Sequence, residues 1–393
     1  MKKICYGKLF IAFILFILIS GCRWFPEIIE NGPEIFFNSF QVTNSLGNAR
    51  DPVLVWADEQ WGVVWEKELN TNRELYLTTI KSNGSVIDEL QLLEKNYYVE
   101  SSNCLWTGKN YAVVCSVYDR NDSQYKIILI LASPDNIIEK TMISITSDLL
   151  TYPSIAWNGK SYSIVWADTN EGITDFDIYC SIVFFNSEGQ SVINKELNIP
   201  KTGKQLHPYI VWNGKNYACI WQSNESEYNR IYFSFFDSDM DIIGEIDCLS
   251  SPSLNAYHPK ISSSGNEYVI CWEYDIEGNF EIYCEYIDSN GNKSGGTIKN
   301  TDSSGKNKYP SIKCGVDEYG IVWQKINDQH SGLYFTVVDK DNEEVKEPVC
   351  LLQNSDQLDL FSPSIAWDGK DFGIVWSAWS SYQENNYEIY FAY

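Results

Sequence analysis

The 393-residue chain is poor in the residues that most enzymes use for chemistry: it has three histidines, three methionines and five arginines. It contains no Gly-x-Ser-x-Gly elbow, no His-Glu-x-x-His pair, no phosphate-binding glycine loop and no Cys-x-x-Cys. Those absences remove the usual signatures of serine hydrolases, zinc peptidases, nucleotide binders and dithiol oxidoreductases. Positive charge is scarce as well, with 29 Lys and Arg against 53 Asp and Glu and a formal net charge of -24. A surface of that sign is repelled by phosphate backbones and anionic headgroups, so nucleic acid is not an expected partner and electrostatic membrane docking is disfavoured. Helical periodicity is missing throughout. Long apolar runs are missing too, apart from Leu9 to Ile19, which is shorter than the roughly 20 residues a membrane-spanning helix needs.

That run follows Lys2, Lys3 and Lys8 and precedes Ser20-Gly21-Cys22, the layout of a signal peptide that export removes. Ile19-Ser20-Gly21-Cys22 resembles the lipobox of bacterial lipoproteins, and the resemblance implies that Cys22 becomes the lipidated first residue. An uncleaved anchor or an ordinary secretory signal would export the chain equally. The expected organisation is a signal peptide over residues 1–21, a lipidated tether over 22–33 and a globular part over 34–393. The chain is then exported and held at the cell membrane or outer membrane by the lipid on Cys22.

What the sequence does have is a repeat. Pro153-Ser-Ile-Ala-Trp-Asn-Gly-Lys-Ser-Tyr-Ser-Ile-Val-Trp returns with small changes from Pro208 and Pro363, and more loosely from Pro52, Ser102, Pro259 and Pro310. Later in each copy come an acidic residue, Ile, Tyr and a polar turn. The apolar runs are short, rich in Ile, Val, Tyr and Trp, and separated by Gly, Asn, Asp and Ser, which is strand and turn chemistry. Asn158-Gly159, Asn213-Gly214 and Asp368-Gly369 stand where the first two strands must reverse. Seven copies of about four antiparallel strands predict an all-β, seven-bladed β-propeller with blades starting near 52, 102, 153, 208, 259, 310 and 363.

The last copy ends at Tyr393 after a third strand. Residues 43–52 align without gaps on 301–310, so a strand within residues 34–44 is expected to complete blade seven and remove two exposed edges. Of 14 tryptophans, 11 fall on two repeat positions, where large rings fill the space between blades. Cysteine follows the same logic. Cys104 stands where sister repeats have Ile155 and Ile365, Cys115 and Cys314 take tryptophan positions, and Cys180 and Cys284 share one position. These thiols read as small buried hydrophobes, with paired disulfides the alternative.

The Pro-Ser-Ile-Ala-Trp-Asn-Gly and Asp-Ile-Tyr phrases resemble those of secreted and surface-attached bacterial propeller proteins, over residues 40–393. The resemblance implies architecture and no single activity. Sialidases would bring Ser-x-Asp-x-Gly-x-x-Trp boxes and a clamp of three arginines, and the chain shows neither. His330 lies in a polar loop with no foreseeable partner. Turns such as Asp237 to Asp241, Asp288 to Asn292 and Asp339 to Glu343 have some of the oxygens of a calcium loop but not its closing glutamate. No metal or cofactor is expected, with calcium the one ion these turns leave open.

Placement on the repeat gives the candidate site. By analogy with other propellers, in which the first strand of each blade lines the central channel, the residue before each proline is expected at one mouth, which puts Asp51, Tyr152, His207, His258 and Tyr309 there. Glu66, Gln222, Glu273 and Gln324 follow the second-strand tryptophan and are expected on the same face. No catalytic residue is assigned. The expected role is a non-catalytic binding or scaffold propeller for a protein or glycan ligand. The alternatives are a glycosidase or lyase using the mouth carboxylates, and a subunit of an envelope assembly.

Overall fold

The computed structural model describes residues 39–393 except 147, 170–175, 187–188, 198, 200–202, 225–226, 300, 302–304, 328–330, 340–345, 355–359 and 381–385. The described residues belong to one compact unit, Phe37–Tyr393. The expected signal segment, Cys22, the tether, His330 and residues 340–343 lie outside them.

Seven four-stranded antiparallel sheets follow one another along the chain, each with its strands in sequence order except the last. The inner strands are Asn48–Ala57, Tyr97–Trp106, Leu150–Trp157, Gln205–Trp212, Asn255–Ser263, Lys306–Cys314 and Leu360–Trp367. Each touches the inner strands of the blades before and after it, and Asn48–Ala57 touches Leu360–Trp367, so the ring is closed. The architecture is the seven-bladed propeller that the repeat predicts.

The second strands, such as Tyr111–Asp119 and Tyr217–Ser223, are buried almost throughout. A neighbouring blade covers each of their two faces, and for that reason the sequence there is continuously apolar rather than alternating. Seven hydrophobic cores result, one between each pair of adjacent blades. Trp65, Trp221, Trp272 and Trp323 of the second strands are fully buried in them, each worth roughly 1.5–3 kcal/mol in apolar burial. Inner-strand tryptophans sit at the opposite end of the hairpin, against the next strand's aromatic residue. Trp157 and Tyr162 have ring centroids 4.4 Å apart, and Trp212 and Tyr217 4.7 Å. The turns between them use Gly159, Gly214 and Gly369 at φ of 91°, 97° and 99°, a conformation glycine adopts without a Cβ penalty.

Blade seven is completed from the other end of the chain. Ser39–Gln41 pairs antiparallel with Asn386–Ala392, Phe40 opposite Phe391, and Val42 N donates to Ile389 O at 2.7 Å. The Thr43 hydroxyl then donates to the buried Glu388 carboxylate and accepts from Ile389 N at 2.9 Å. Blade five has the same arrangement within one repeat: Thr301 Oγ1 donates to Glu281 Oε2 at 2.5 Å and accepts from Ile282 N at 3.0 Å. Residues 43 and 301 are therefore structural equivalents, as the ungapped alignment requires.

Candidate functional site

At the head of six inner strands the ladder slips. Two residues on the inner strand stand opposite one on the second strand, between Arg50 and Val53, Thr151 and Ser154, Leu206 and Tyr209, Tyr257 and Lys260, Lys308 and Ser311, and Phe361 and Ser364. The second residue of each pair is a proline, which has no N–H to leave unbonded at a bulge. The first residue is left-handed in every case: Asp51, Tyr152, His207, His258, Tyr309 and Ser362 have φ between 44° and 55°. Blade two has Ser102 in place of proline. Its irregularity falls at Glu100 instead, and none of its inner-strand residues is left-handed.

A bulge breaks strand alternation and re-aims one side chain. Here the re-aimed side chains of neighbouring blades meet. The Tyr152 and His207 ring centroids are 3.8 Å apart, those of His207 and His258 5.0 Å, and those of His258 and Tyr309 5.4 Å. Ser362 Oγ donates to Asp51 Oδ1 at 2.8 Å across the blade seven to blade one boundary. All five residues that the sequence places at the mouth are thus on one rim, and Ser362 joins them. It was missed because a serine carries no chemical signal, although Pro363 marks the same position. Tyr152 and Tyr309 are 40% and 39% exposed and present their rings to solvent.

The second-strand set is not on the rim surface. Glu66, Gln222, Glu273 and Gln324 are at most 6% exposed and lie beneath it. Glu273 Oε1 accepts from Tyr309 N of the next blade at 2.6 Å and contacts His258 Nδ1 at 3.1 Å. Gln222 Oε1 accepts from His258 N at 3.4 Å. In blade two Ser101 Oγ performs the same service for Tyr152 N at 3.1 Å. These groups hold the strained backbone in place from one blade to the next. The Glu273 contact at Nδ1 also fixes the orientation of the His258 imidazole.

Tyr209 of blade four lies beneath the rim, close enough to Asn103 of blade two to feel its side chain. Lys260 stacks over the Tyr209 ring, 5.0 Å from its centroid. Burial pushes the His207 pKa down to about 3, aided by His258 and Lys260, so His207 is neutral at ordinary pH. Burial also lowers the Lys260 ammonium. On the Asp51 side, burial and the nearby Asp51 and Glu100 carboxylates raise Glu66 well above the usual carboxylate range. Arg73, 3.4 Å from Glu66 and 3.7 Å from Glu68, opposes that rise. The rim therefore combines tyrosine rings, a neutral His207 imidazole and, beneath it, a Glu66 carboxyl raised above its ordinary range.

The acidic turns are held by their own carboxylates. Asp237 Oδ1 accepts from the N–H of Asp239 and of Asp241, both at 2.9 Å, and Asp288 Oδ1 from Asn290 and Asn292, both at 2.8 Å.

No protein-family model and no curated protein sequence matches the chain. Solved structures do. The β-propeller domain of the Trilobed protease from Pyrococcus furiosus, described as having an open velcro topology, aligns with a TM-score of 0.51 at 11% identity, over 88% of this chain and 94% of that one. The phage phi92 endosialidase aligns at 0.54 and 8% identity, over 91% and 68%. A prolyl endopeptidase aligns at 0.51 and 13% identity over 87% of this chain, which spans 46% of that enzyme. At such identities the likeness is one of fold. In this chain Ser39–Gln41 pairs with Asn386–Ala392.

Proposed function

We propose that this chain is an exported, lipid-anchored propeller that binds a glycan on the rim at one mouth of its channel, without transforming it. The observation that carries the reading is the left-handed backbone of Tyr152, His207, His258 and Tyr309. A bulky residue there costs about 1–3 kcal/mol, a cost typical of binding and active sites, and glycine would avoid most of it. The positions hold aromatic and imidazole groups instead. Half-exposed tyrosine rings suit the C–H faces of a sugar, while the imidazole and carboxyl side chains of His207, His258 and Asp51 suit its hydroxyl groups. Anchoring rests on the lipobox resemblance at Cys22, and the negative charge of the chain leaves the lipid as its hold on the membrane.

A glycan array probed with the full chain in detergent, followed by calorimetric titration of the hits, tests the binding reading. Tyr152→Ala and Tyr309→Ala should each weaken binding at least about tenfold, the loss of roughly 1.4 kcal/mol of contact, with a retained β-sheet spectrum. Undiminished affinity in both variants, or a ligand that proves to be a protein, would sink it. Labelling with an alkynyl fatty acid should tag the wild type and not Cys22→Ser.

One observation favours a second reading. Burial and the neighbouring Asp51 raise the Glu66 carboxyl well above its ordinary range, the direction a general acid of glycoside cleavage requires. Turnover of a bound glycan that Glu66→Gln abolishes would establish it in place of simple binding.

A further inference from the structure

In blade five the second strand Glu267–Ile276 and the third strand Asn279–Asp288 are joined by Glu277 and Gly278 alone. Their φ values of 57° and 86° make a type I′ turn. In such a hairpin the flanking pair, here Ile276 opposite Asn279, exchanges backbone hydrogen bonds, and the character of successive pairs then alternates. Following the register from Ile276↔Asn279 down to Cys271↔Cys284 places the two cysteines on a non-hydrogen-bonded pair. Opposed residues of that kind have Cα atoms about 4.5 Å apart, within the roughly 4.4–6.8 Å that a disulfide spans. Both side chains are buried in the one core between blades five and six, and their thiols are free.

The contrast with the other cysteines is geometric. Cys104 is opposite Val113 and Cys115 is opposite Ser102, so that pair is diagonal, with Cα atoms about 7–8 Å apart. Among the described residues, Cys271 and Cys284 are the directly opposed pair.

We propose that Cys271 and Cys284 are an oxidative modification site that closes to a cross-strand disulfide by exchange with an external disulfide. One cysteine thiolate attacks a sulfur of the external disulfide and expels its first thiol. The second cysteine then attacks the mixed disulfide, forming the Sγ–Sγ bond and releasing the second thiol. The two cysteine protons leave, and the two electrons lost by the pair reduce the external disulfide to two thiols. Burial, with Cys271 alongside, pushes the Cys284 thiol well above its ordinary pKa, which suppresses the attacking thiolate in the folded chain. The bond therefore forms while the hairpin is still open to solvent, before blade six packs over it. The site is independent of the rim and of what the rim binds.

The experiment is refolding of the full chain across a series of reduced to oxidised glutathione ratios. Acid quenching, alkylation in denaturant and peptide mapping by mass spectrometry follow. The expected result is a linked Cys271–Cys284 peptide that has lost two hydrogens, replacing the two alkylated peptides as the mixture becomes more oxidising. Alkylation of both thiols at every ratio, or linkage of either to another cysteine, overturns the proposal. The melting temperature of the wild type should also be higher after oxidative than after reductive refolding, and that difference should vanish in the Cys271→Ala, Cys284→Ala variant. A difference that survives in the variant overturns the proposal as well. The peptide map needs no variant, so it reads whether or not the double substitution folds.

Discussion

Tyr152 pairs a bulky ring with a φ of 54°, and that combination lets strain be separated from function. Tyr152→Gly relieves the backbone and loses the ring contact with His207, worth about 0.5–1.5 kcal/mol. Stability is therefore expected within about 1 kcal/mol of wild type while glycan affinity is lost, which paired chemical melts and titrations check. Gly373 shows the opposite dependence. A Cβ there would stand 2.7 Å from the buried Trp61 ring of the adjacent blade, so Gly373→Ala should cost about 1–3 kcal/mol through overpacking, read as an earlier denaturant midpoint. Asp168, cross-strand from Asp177, has a buried oxygen without a hydrogen bond. Burial, Asp148 and Asp177 raise its carboxyl from 3.8 to about 7. Between those values the folded chain keeps a proton that the unfolded chain has released, so this group favours folding most at low pH and the advantage is lost as pH rises through about 7. Asp168→Asn should flatten that fall in melting temperature.

At the scale of elements, Thr43 closes the last blade by serving both a backbone N–H and a buried carboxylate. Thr43→Val keeps the shape and leaves Glu388 short of a donor, at an expected cost of about 1–3 kcal/mol. Thr301→Val should cost about as much if the two positions are equivalent, and melts of the two variants compare them. The strands and their order were legible in the sequence because every blade repeats one pattern of apolar runs and turns. The rim was legible as a position, since each rim residue precedes a proline. Its left-handed backbone was not, because the same Xaa-Pro pair also fits an ordinary extended strand. The depth of Glu66, Gln222, Glu273 and Gln324 was hidden for a similar reason. A polar residue after a tryptophan suggests an exposed strand end, yet the packed blades bury all four, and Gln222 and Glu273 accept from N–H groups of the next blade.

For the whole molecule, ring closure joins residues more than 340 apart in sequence, as Thr43 and Glu388 are. Deleting residues 39–45 should leave the edge of Asn386–Ala392 unpaired and give a chain that melts earlier and aggregates, which light scattering during a thermal ramp would report. The sequence by itself determined the strands, their turns, the number of blades and the partner that completes the last one, because each of these depends on patterns within or between repeats. Tertiary structure alone decided which chemistry meets at the mouth. Tyr152, His207, His258 and Tyr309 are each about fifty residues from the next, and only the circular packing of four consecutive blades brings their rings into contact.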